Sequence, residues 1–261
     1  MPDRRKHRGP HPEDLQLFAP STWPVLREAA SDLCWLLSRG YRAQSSLKLV
    51  GDRYDLVARQ RTAVGRCCCG DASAIDRRNR QLGAQQISGR PLRLDGYNVL
   101  TTVEAALAGG IVLPGRDGAY RDMASMHGSY RKVAETRPAL GLLGHVLTGL
   151  QTGECLWYLD RPVSNSGRLK GVMEELAAAH GWPWRIELAP NPDHLLAETD
   201  QVAVTADSGI LDRCKAWFNL ARETIVRRVP EARVIPIVDE YVQAEPQAEK
   251  PGWRVNANTP E

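Results

Sequence analysis

Three aspartates follow directly after short apolar runs, and their type and spacing fit a chemical role. Asp95 follows Arg-Pro-Leu-Arg-Leu, Asp160 follows Cys-Leu-Trp-Tyr-Leu, and Asp207 follows Gln-Val-Ala-Val-Thr-Ala. If the runs are parallel strands, their carboxyl ends meet at one edge of a sheet, where open α/β sheets bind ligands. Carboxylates gathered at one edge repel one another unless a cation lies among them. The pattern therefore predicts a cation site.

A hard divalent cation suits such a cluster. Mg²⁺ or Mn²⁺ prefers oxygen ligands, and the sequence shows no matching set of His and Cys residues. A carboxylate-held divalent ion can deprotonate a water and neutralise phosphate charge during in-line attack, which is the chemistry of phosphodiester hydrolysis. Each aspartate alone could equally cap the helix that follows it, and only the coincidence of three favours a metal site.

A polar segment between a predicted strand and a predicted helix is a candidate phosphate site. It runs Ser-Asn-Ser-Gly-Arg-Leu-Lys from position 164 to 170, and it does not have the spacing of a Walker loop. Backbone amides at the helix start could bind a phosphate beside Asp160. The side chains that would help are Ser164, Asn165, Ser166, Arg168 and Lys170. The alternative is a Ser-capped helix with a basic first turn.

Strand-helix-strand units must position these residues. From Arg90 onward short apolar runs alternate with amphipathic stretches, which predicts an α/β domain over residues 90–240 with a mostly parallel sheet. The predicted strands are 91–94, 110–113, 155–159, 185–188, 201–205 and 234–238. The predicted helices are 99–108, 137–150, 166–180 and 210–228.

The region before this domain is basic and helical. Lys and Arg outnumber Asp and Glu by 17 to 9 up to residue 93, whereas the later residues have 17 against 22. Helical periodicity predicts a small all-helical module over residues 20–88, with a linker at 83–89. Its second and third helices resemble a helix-turn-helix that would display Arg59, Arg61 and Arg66 to nucleic acid, although a solvated basic face is the alternative.

The remaining segments and the composition favour a cytoplasmic protein. Residues 1–19 are expected to be a flexible lead-in and residues 241–261 a disordered tail. No stretch approaches the roughly 20 apolar residues that span a bilayer, and no apolar signal region follows the N-terminal charges. Cys67, Cys68 and Cys69 are interpreted as buried thiols, because adjacent side chains cannot easily bind one ion.

The segment Leu94-Asp95-Gly96-Tyr97-Asn98-Val99-Leu100 resembles the first motif of the NYN branch of the PIN-like nucleases. The segment from Val202 to Ser208 is similar to a later strand of that family. This resemblance implies a PIN-like domain of three layers over residues 90–240. It also implies that Asp95 and Asp207 bind metal and that Asn98, Thr205 and Ser208 support them. It places Asp160 as a central acidic residue, although the following Arg-Pro-Val departs from the family pattern. For a further acidic residue Glu104, Asp122, Asp193 and Asp200 compete, and we favour Asp122 and Asp200.

The whole chain also resembles a prokaryotic family of unknown function with a helical front part and an α/β back part. We therefore predict a Mg²⁺- or Mn²⁺-dependent nuclease whose basic module positions nucleic acid, with RNA favoured by the resemblance. One alternative is a non-catalytic nucleic-acid-binding protein. Another is a phosphatase of the haloacid dehalogenase type, which shares Leu-Asp-Gly but needs a second Asp where Tyr97 stands.

Overall fold

The helical N-terminal region expected from the sequence is present in the computed structural model, which describes residues 7–124 and 130–240. Its helices are α1 (Asp14–Leu17), α2 (Trp23–Ser38), α3 (Ala43–Arg53), α4 (Ala58–Cys67) and α5 (Asp71–Arg80), with short 3-10 turns at Pro20–Thr22 and Ala84–Ile87. In α2, Leu26, Ala30 and Leu33 recur at helical spacing and are buried. This periodicity is why the longest helix of the region was predictable.

Residues 7–19 of the predicted lead-in contact the rest of the protein. Helix α1 lies within this segment, and the carboxylate of Asp14 is fully buried, where it binds the guanidinium of Arg59 from α4. Further upstream, Nε of Arg8 lies 2.5 Å from the buried carboxylate of Glu104. An ionised carboxylate is costly to bury without a partner, so these two ion pairs stabilise the contact of the segment with the rest of the protein. The predicted tail at 241–261 lies outside the described residues.

The helical region packs directly on the α/β region. Leu26 of α2 and Val64 of α4 belong to the same hydrophobic cluster as Ile111, Leu113 and Ile235. The predicted linker at 83–89 instead contains a 3-10 turn whose Ile87 is fully buried in the larger core cluster. The two regions therefore share a core.

The α/β prediction is confirmed. The elements in chain order are β1 (Leu92–Asp95), α6 (Gly96–Leu107), β2 (Ile111–Pro114), β3 (Tyr120–Asp122), α7 (Thr136–Gly149), β4 (Cys155–Asp160), α8 (Ser166–His180), β5 (Trp184–Ala189), α9 (Pro192–Ala197), β6 (Val202–Val204), α10 (Ser208–Leu211), α11 (Leu220–Arg228) and β7 (Arg233–Val234). Their alternation of strand and helix follows the apolar pattern of the sequence.

The main sheet has the strand order β5-β4-β1-β6, and every pair in it is parallel. Leu94 of β1 lies opposite Trp157 of β4 on one side and Val204 of β6 on the other. These three side chains belong to the largest core cluster, whereas the adjacent Ala203 belongs to a separate cluster with Trp217. Because side chains alternate along a strand, the two clusters lie on opposite faces of the sheet.

The predicted single sheet and last helix need correction. Strands β2 and β7 belong to a second, three-stranded sheet with the order β3-β2-β7, in which β2 and β3 are antiparallel, and β3 was not predicted. The helix predicted over 210–228 is divided into α10 and α11. Between them Trp217 bridges to Ala203 and Gln81, and its Nε1 donates to the carbonyl of Arg77 at 2.6 Å. These non-local bonds override the helical pattern.

None of the described helices is both long enough and apolar enough to cross a bilayer. The cysteines are free, and the prediction of buried thiols is confirmed for Cys67 and Cys69, while Cys68 is half-buried. Burial raises the pKa of the Cys67 thiol to about 12, which keeps it protonated at neutral pH.

Candidate functional site

A cavity of about 590 Å³ lies at the carboxyl ends of the parallel strands. Among the residues that the structure describes, five aspartates line it, namely Asp95, Asp122, Asp160, Asp193 and Asp207. The three aspartates predicted from the strand ends are therefore brought to one cavity. The register of the sheet explains this, because β1, β4 and β6 run in the same direction side by side.

Asp95 ends β1 and begins α6. Its Oδ1 accepts a hydrogen bond from the amide of Asn98 at 3.2 Å, and its Oδ2 accepts one from Oγ1 of Thr205 at 2.8 Å. The side chain of Asp95 is buried, and burial raises its pKa to about 7, although the two hydrogen bonds lower it. The nearby negative charges of Asp193 and Asp207 raise the pKa further. Ionised Asp95 is thus an unfavourable charge that a cation would stabilise.

The residues around Asp95 fix the path of the chain. At Gly96 a Cβ atom would lie 2.5 Å from Cδ2 of Leu159 and 2.7 Å from the carbonyl oxygen of Tyr158, so only glycine allows α6 to start this close to β4. The side-chain oxygen of Asn98 accepts a hydrogen bond from the amide of Ala206 at 2.9 Å. Asn98 therefore connects the start of α6 to the loop that follows β6.

Asp207 caps α10. Its Oδ1 accepts hydrogen bonds from the amides of Gly209 at 2.8 Å and Ile210 at 3.1 Å, while the hydroxyl of Thr205 accepts one from the amide of Asp207 at 3.0 Å. The capping role that was the alternative is thus observed. Both capping bonds use the same oxygen, so capping is compatible with a ligand at the other oxygen of a carboxylate that lines the cavity.

Asp160 and Asp193 complete the acidic wall. Burial raises the pKa of Asp160 at the end of β4, and the charge of Asp193 raises it further. Desolvation also raises the pKa of Asp193, and the charge of Asp207 raises it further. The sequence offers Asp193 only as one of four competing candidates for a further acidic residue. A search for acidic residues shortly after the predicted strand at 185–188 would have favoured Asp193. The residue lies in α9, which follows β5 and contacts β4, β1 and α10.

The two acidic residues favoured from the resemblance have different surroundings. Asp122 lines the cavity, but its Oδ2 accepts hydrogen bonds from the hydroxyls of Thr101 at 3.1 Å and Thr102 at 2.9 Å. Asp200 is 82% exposed, pairs with Lys215 and does not line the cavity, so the structure does not support its predicted role. Asp122 is restrained by side chains of α6, whereas Asp200 lies in solvent.

Glu104, another of the candidates, is not at the cavity. It is fully buried in α6, where its carboxylate accepts hydrogen bonds from Tyr130 at 2.5 Å and Thr136 at 2.6 Å in addition to the ion pair with Arg8. Burial raises its pKa, and Arg8 opposes the rise. This carboxylate joins the N-terminal segment to the α/β region.

The predicted phosphate segment does not reach the cavity. Its predicted side chains, Ser164, Asn165, Ser166, Arg168 and Lys170, are all absent from the cavity wall formed by the described residues. Asn165 adopts a left-handed conformation with φ 70° and donates to the carbonyl of Tyr130 at 3.0 Å. Ser166 is buried, and Lys170 lies 3.5 Å from Glu174. The alternative of a Ser-capped helix is not observed either, because α8 begins after Asn165 without a side-chain cap bond.

The arginines expected on a displayed recognition helix are engaged within the protein. Arg59 binds buried Asp14, and Arg61 donates to Asp52 at 2.7 Å. Arg66 donates to the backbone carbonyls of Asp122 and Ala124 and lines the cavity. Helices α3 and α4 form the expected hairpin, but these three side chains do not form a free basic face.

A buried ion network supports the loop that carries Asp207. Arg77 of α5 and Arg121 of β3 each donate to Oδ2 of Asp117 at 2.7 Å. Nε of Arg121 also donates to the carbonyl of Ala206 at 2.9 Å, and both guanidinium groups approach the hydroxyl of Ser208, at 3.3 and 3.4 Å. The two guanidinium groups outweigh the effect of burial and hold the pKa of Asp117 well below its usual range. Ser208 thus has a structural connection to the helical region.

The donor chemistry of the cavity fits a hydrated divalent ion. Within the described ranges, no group of three or more His, Cys, Asp or Glu side chains converges into a ready ligand set. Mg²⁺, however, usually keeps several waters and binds through one or two carboxylates. The charges of Asp193 and Asp207 raise the pKa of Asp95, and the charge of Asp207 raises the pKa of Asp193, so these carboxylates are close enough to interact. A partly hydrated ion near Asp95 and Asp207 is consistent with both observations.

The fold and the cavity define a two-part α/β protein with an acidic pocket at its strand ends. The chain belongs to the family described as Domain of unknown function (DUF5616), whose model matches residues 84–223. Residues 25–80 match a second family, described as Protein of unknown function (DUF434). The expected membership in a family of unknown function with this two-part layout is confirmed.

An uncharacterised protein of Methanocaldococcus jannaschii is 27% identical over 202 residues, which cover 77% of this chain and 96% of the relative. The match extends across both the helical and the α/β regions. No solved structure matches the chain.

Proposed function

We propose that the protein is a Mg²⁺- or Mn²⁺-dependent nuclease that hydrolyses phosphodiester bonds, with RNA as the favoured substrate. The observation that carries the proposal is the convergence of Asp95, Asp160, Asp193 and Asp207 on one cavity, each following a different parallel strand. Charge repulsion makes such a wall costly without a cation. Binding of a divalent ion accounts for that arrangement.

In this proposal Asp95 and Asp207 bind the ion, and Thr205 and Asn98 hold them in place. Thr205 contributes through its bonds with Asp95 and Asp207, and Asn98 contributes through its bond to the loop after β6. The bound ion would supply an activated water and positive charge for the phosphate. Both aspartates are restrained from more than one direction, which is what a site with fixed geometry needs.

Asp160 and Asp193 have a different role. Asp160 is half-buried and Asp193 is exposed, and each has a raised pKa because of desolvation and a neighbouring carboxylate. A carboxylate with a raised pKa is a better proton acceptor near neutral pH. We assign these two side chains to proton acceptance from water and to outer positions around the ion.

RNA as the substrate rests on the likeness of residues 94–100 to the NYN nucleases and on the net charge of +8 up to residue 93. A cytoplasmic location is part of the same proposal. The internal pairing of Arg59 and Arg61 reduces the support for a separate nucleic-acid-binding face on α4. Contacts with nucleic acid are therefore expected at the cavity itself.

The test is cleavage of labelled single-stranded RNA and DNA in Mn²⁺ by the wild type, Asp95→Asn and Asp207→Asn. Asp200→Asn is the matched control, because it removes an equal charge from an exposed site outside the cavity wall. We expect both cavity variants to lose more than about 100-fold in rate, beyond the roughly 10–100-fold typical of outer-sphere partners. The control should retain the wild-type rate.

Other outcomes would favour the alternatives. RNA binding by a wild type that cleaves neither polymer would indicate the non-catalytic binding protein. Release of phosphate from a monoester without cleavage of internal bonds would instead indicate the phosphatase. In either case the nuclease proposal would be wrong.

A further inference from the structure

The wall of the acidic cavity contains one segment of the helical region. Gly65 and Arg66, in the last turn of α4, line the same cavity as Asp95 and Asp207. Arg66 lies within the 25–80 match, and the two aspartates lie within the 84–223 match. The cavity is therefore assembled from both parts of the chain.

Arg66 is held in place without strong neutralisation of its charge. Nη1 and Nη2 donate to the backbone carbonyls of Asp122 and Ala124, the second at 2.9 Å. The nearest carboxylate contact, from Nη1 to Oδ1 of Asp122, is longer at 3.8 Å. Carbonyl oxygens orient a guanidinium but carry only partial charge. The remaining N–H groups of this fork-shaped donor can serve a ligand, and the side chain is 31% exposed.

Arg121, the other arginine of the described cavity wall, is bound differently. Its Nη1 and Nη2 donate to the two carboxylate oxygens of Asp117 at 2.9 and 2.7 Å, and its side chain is buried. This bidentate pair uses the geometry and the charge of Arg121 internally. Arg66 is thus the better placed of the two arginines to receive an anion from solvent.

We propose that Arg66 binds a phosphate group of the polynucleotide beside the carboxylate-held ion, so that the helical region completes the active site. This inference rests on the proposed function and assigns a substrate-binding residue to it. An aspartate-lined wall repels a phosphodiester, whereas a planar guanidinium can bind phosphate oxygens through two parallel hydrogen bonds. The shared core between α4 and β2 keeps the guanidinium at a fixed position relative to the aspartates.

The test is the salt dependence of binding to a fluorescein-labelled single-stranded RNA, measured by anisotropy with Ca²⁺ in place of Mn²⁺. Arg66→Gln is expected to weaken binding about tenfold at low salt. It should also reduce the slope of log K against log salt by about 0.7, the value for one phosphate contact on a single strand. Arg66→Lys keeps the charge but loses the planar two-pronged donor geometry of the guanidinium. Its salt slope should therefore equal that of the wild type, while its affinity should lie between those of the wild type and Arg66→Gln.

Arg61→Gln is the matched control. It removes the same charge from the same helix, but Arg61 pairs with exposed Asp52 and does not line the cavity. Its slope should equal that of the wild type. Melting temperatures of all variants separate a loss of carbonyl contacts from a loss of phosphate binding, because a purely structural role would lower the melting temperature and leave the slope unchanged.

The outcomes separate this inference from the proposed reaction. If the wild type cleaves and folded Arg66→Gln has the same salt slope as the wild type, only the assignment of Arg66 would be overturned. If Arg66→Gln reduces the salt slope but the wild type does not cleave, only the proposed reaction would be overturned. Failure of the wild type to bind RNA would overturn both.

Discussion

Replacing Asp95 by asparagine is expected to stabilise the protein at pH 8, although it removes a side chain at the centre of the proposed site. Asp95 is buried, and its pKa is raised from 3.8 to about 7, chiefly by burial. The unfolded chain releases this proton near pH 4, whereas the folded chain keeps it to about pH 7. Stability therefore falls as the pH rises between these values and stays at its lower level above them.

The magnitude follows from the two pKa values of Asp95. At about 1.4 kcal/mol for each pH unit between 3.8 and about 7, ionisation of Asp95 costs on the order of 4 kcal/mol of folding free energy. Asparagine keeps the shape and an acceptor oxygen but never ionises. Because asparagine also replaces one acceptor by a donor beside Thr205, we expect about half of this gain, roughly 2 kcal/mol, or about 4–8 °C in melting temperature for a chain of this size.

The assay is urea unfolding of the wild type and Asp95→Asn at pH 8 and pH 4.5 without divalent ions. The variant should be more stable at pH 8, and the difference should shrink at pH 4.5, where the wild-type side chain is protonated when folded. Asp200→Asn should show no such gain, because Lys215 lowers the pKa of that exposed carboxylate. A variant that is no more stable than the wild type at pH 8, or a gain equal at both pH values, would refute the reasoning.

Three further changes test the packing and charge around the cavity. Gly96→Ala should lower the free energy of unfolding in urea by about 1–3 kcal/mol, because the added Cβ would overlap Leu159. Gly167→Ala is the control, since a Cβ at that position meets open space, and it should not destabilise the fold. Equal effects of the two substitutions would contradict this prediction. Asp117→Asn should cost about 3–5 kcal/mol at pH 7, because it leaves buried Arg121 without a carboxylate partner and leaves Arg77 with only Asp212. Because the pKa of Asp117 is held well below its usual range, this contribution is present above about pH 4 and is lost in stronger acid; a cost independent of pH would argue against it. Arg8→Gln should lower the melting temperature markedly by leaving Glu104 buried without its cation, and an unchanged melting curve would contradict a stabilising role for the Arg8–Glu104 ion pair.

The sequence was sufficient for the fold class and for the strand-end aspartates because both follow from local patterns. The runs before Asp95 and Asp160 are apolar strands bounded by a polar residue, and parallel strands place their ends together. Asn98 and Thr205 were found only through resemblance, since their bonds to Ala206 and Asp95 join segments more than a hundred residues apart.

Other features depend on tertiary packing that no local pattern shows. Asp193 reaches the cavity because α9 crosses from β5 towards β1, and Arg66 reaches it because α4 packs on the second sheet. Conversely, the segment from 164 to 170 has a suitable composition for phosphate, but the left-handed Asn165 starts α8 with its side chain bound to Tyr130. Composition could not predict that orientation.

Direct binding of Mn²⁺, followed by electron paramagnetic resonance of the free ion, tests the central claim about the strand-end carboxylates. The wild type is predicted to bind a Mn²⁺ ion, and the control Asp200→Asn is predicted to bind Mn²⁺ equally well. A double variant that carries Asp95→Asn and Asp207→Asn is predicted to remain folded but to lose Mn²⁺ binding. Equal binding by the double variant and the wild type, or no binding by the wild type near neutral pH, would contradict the account.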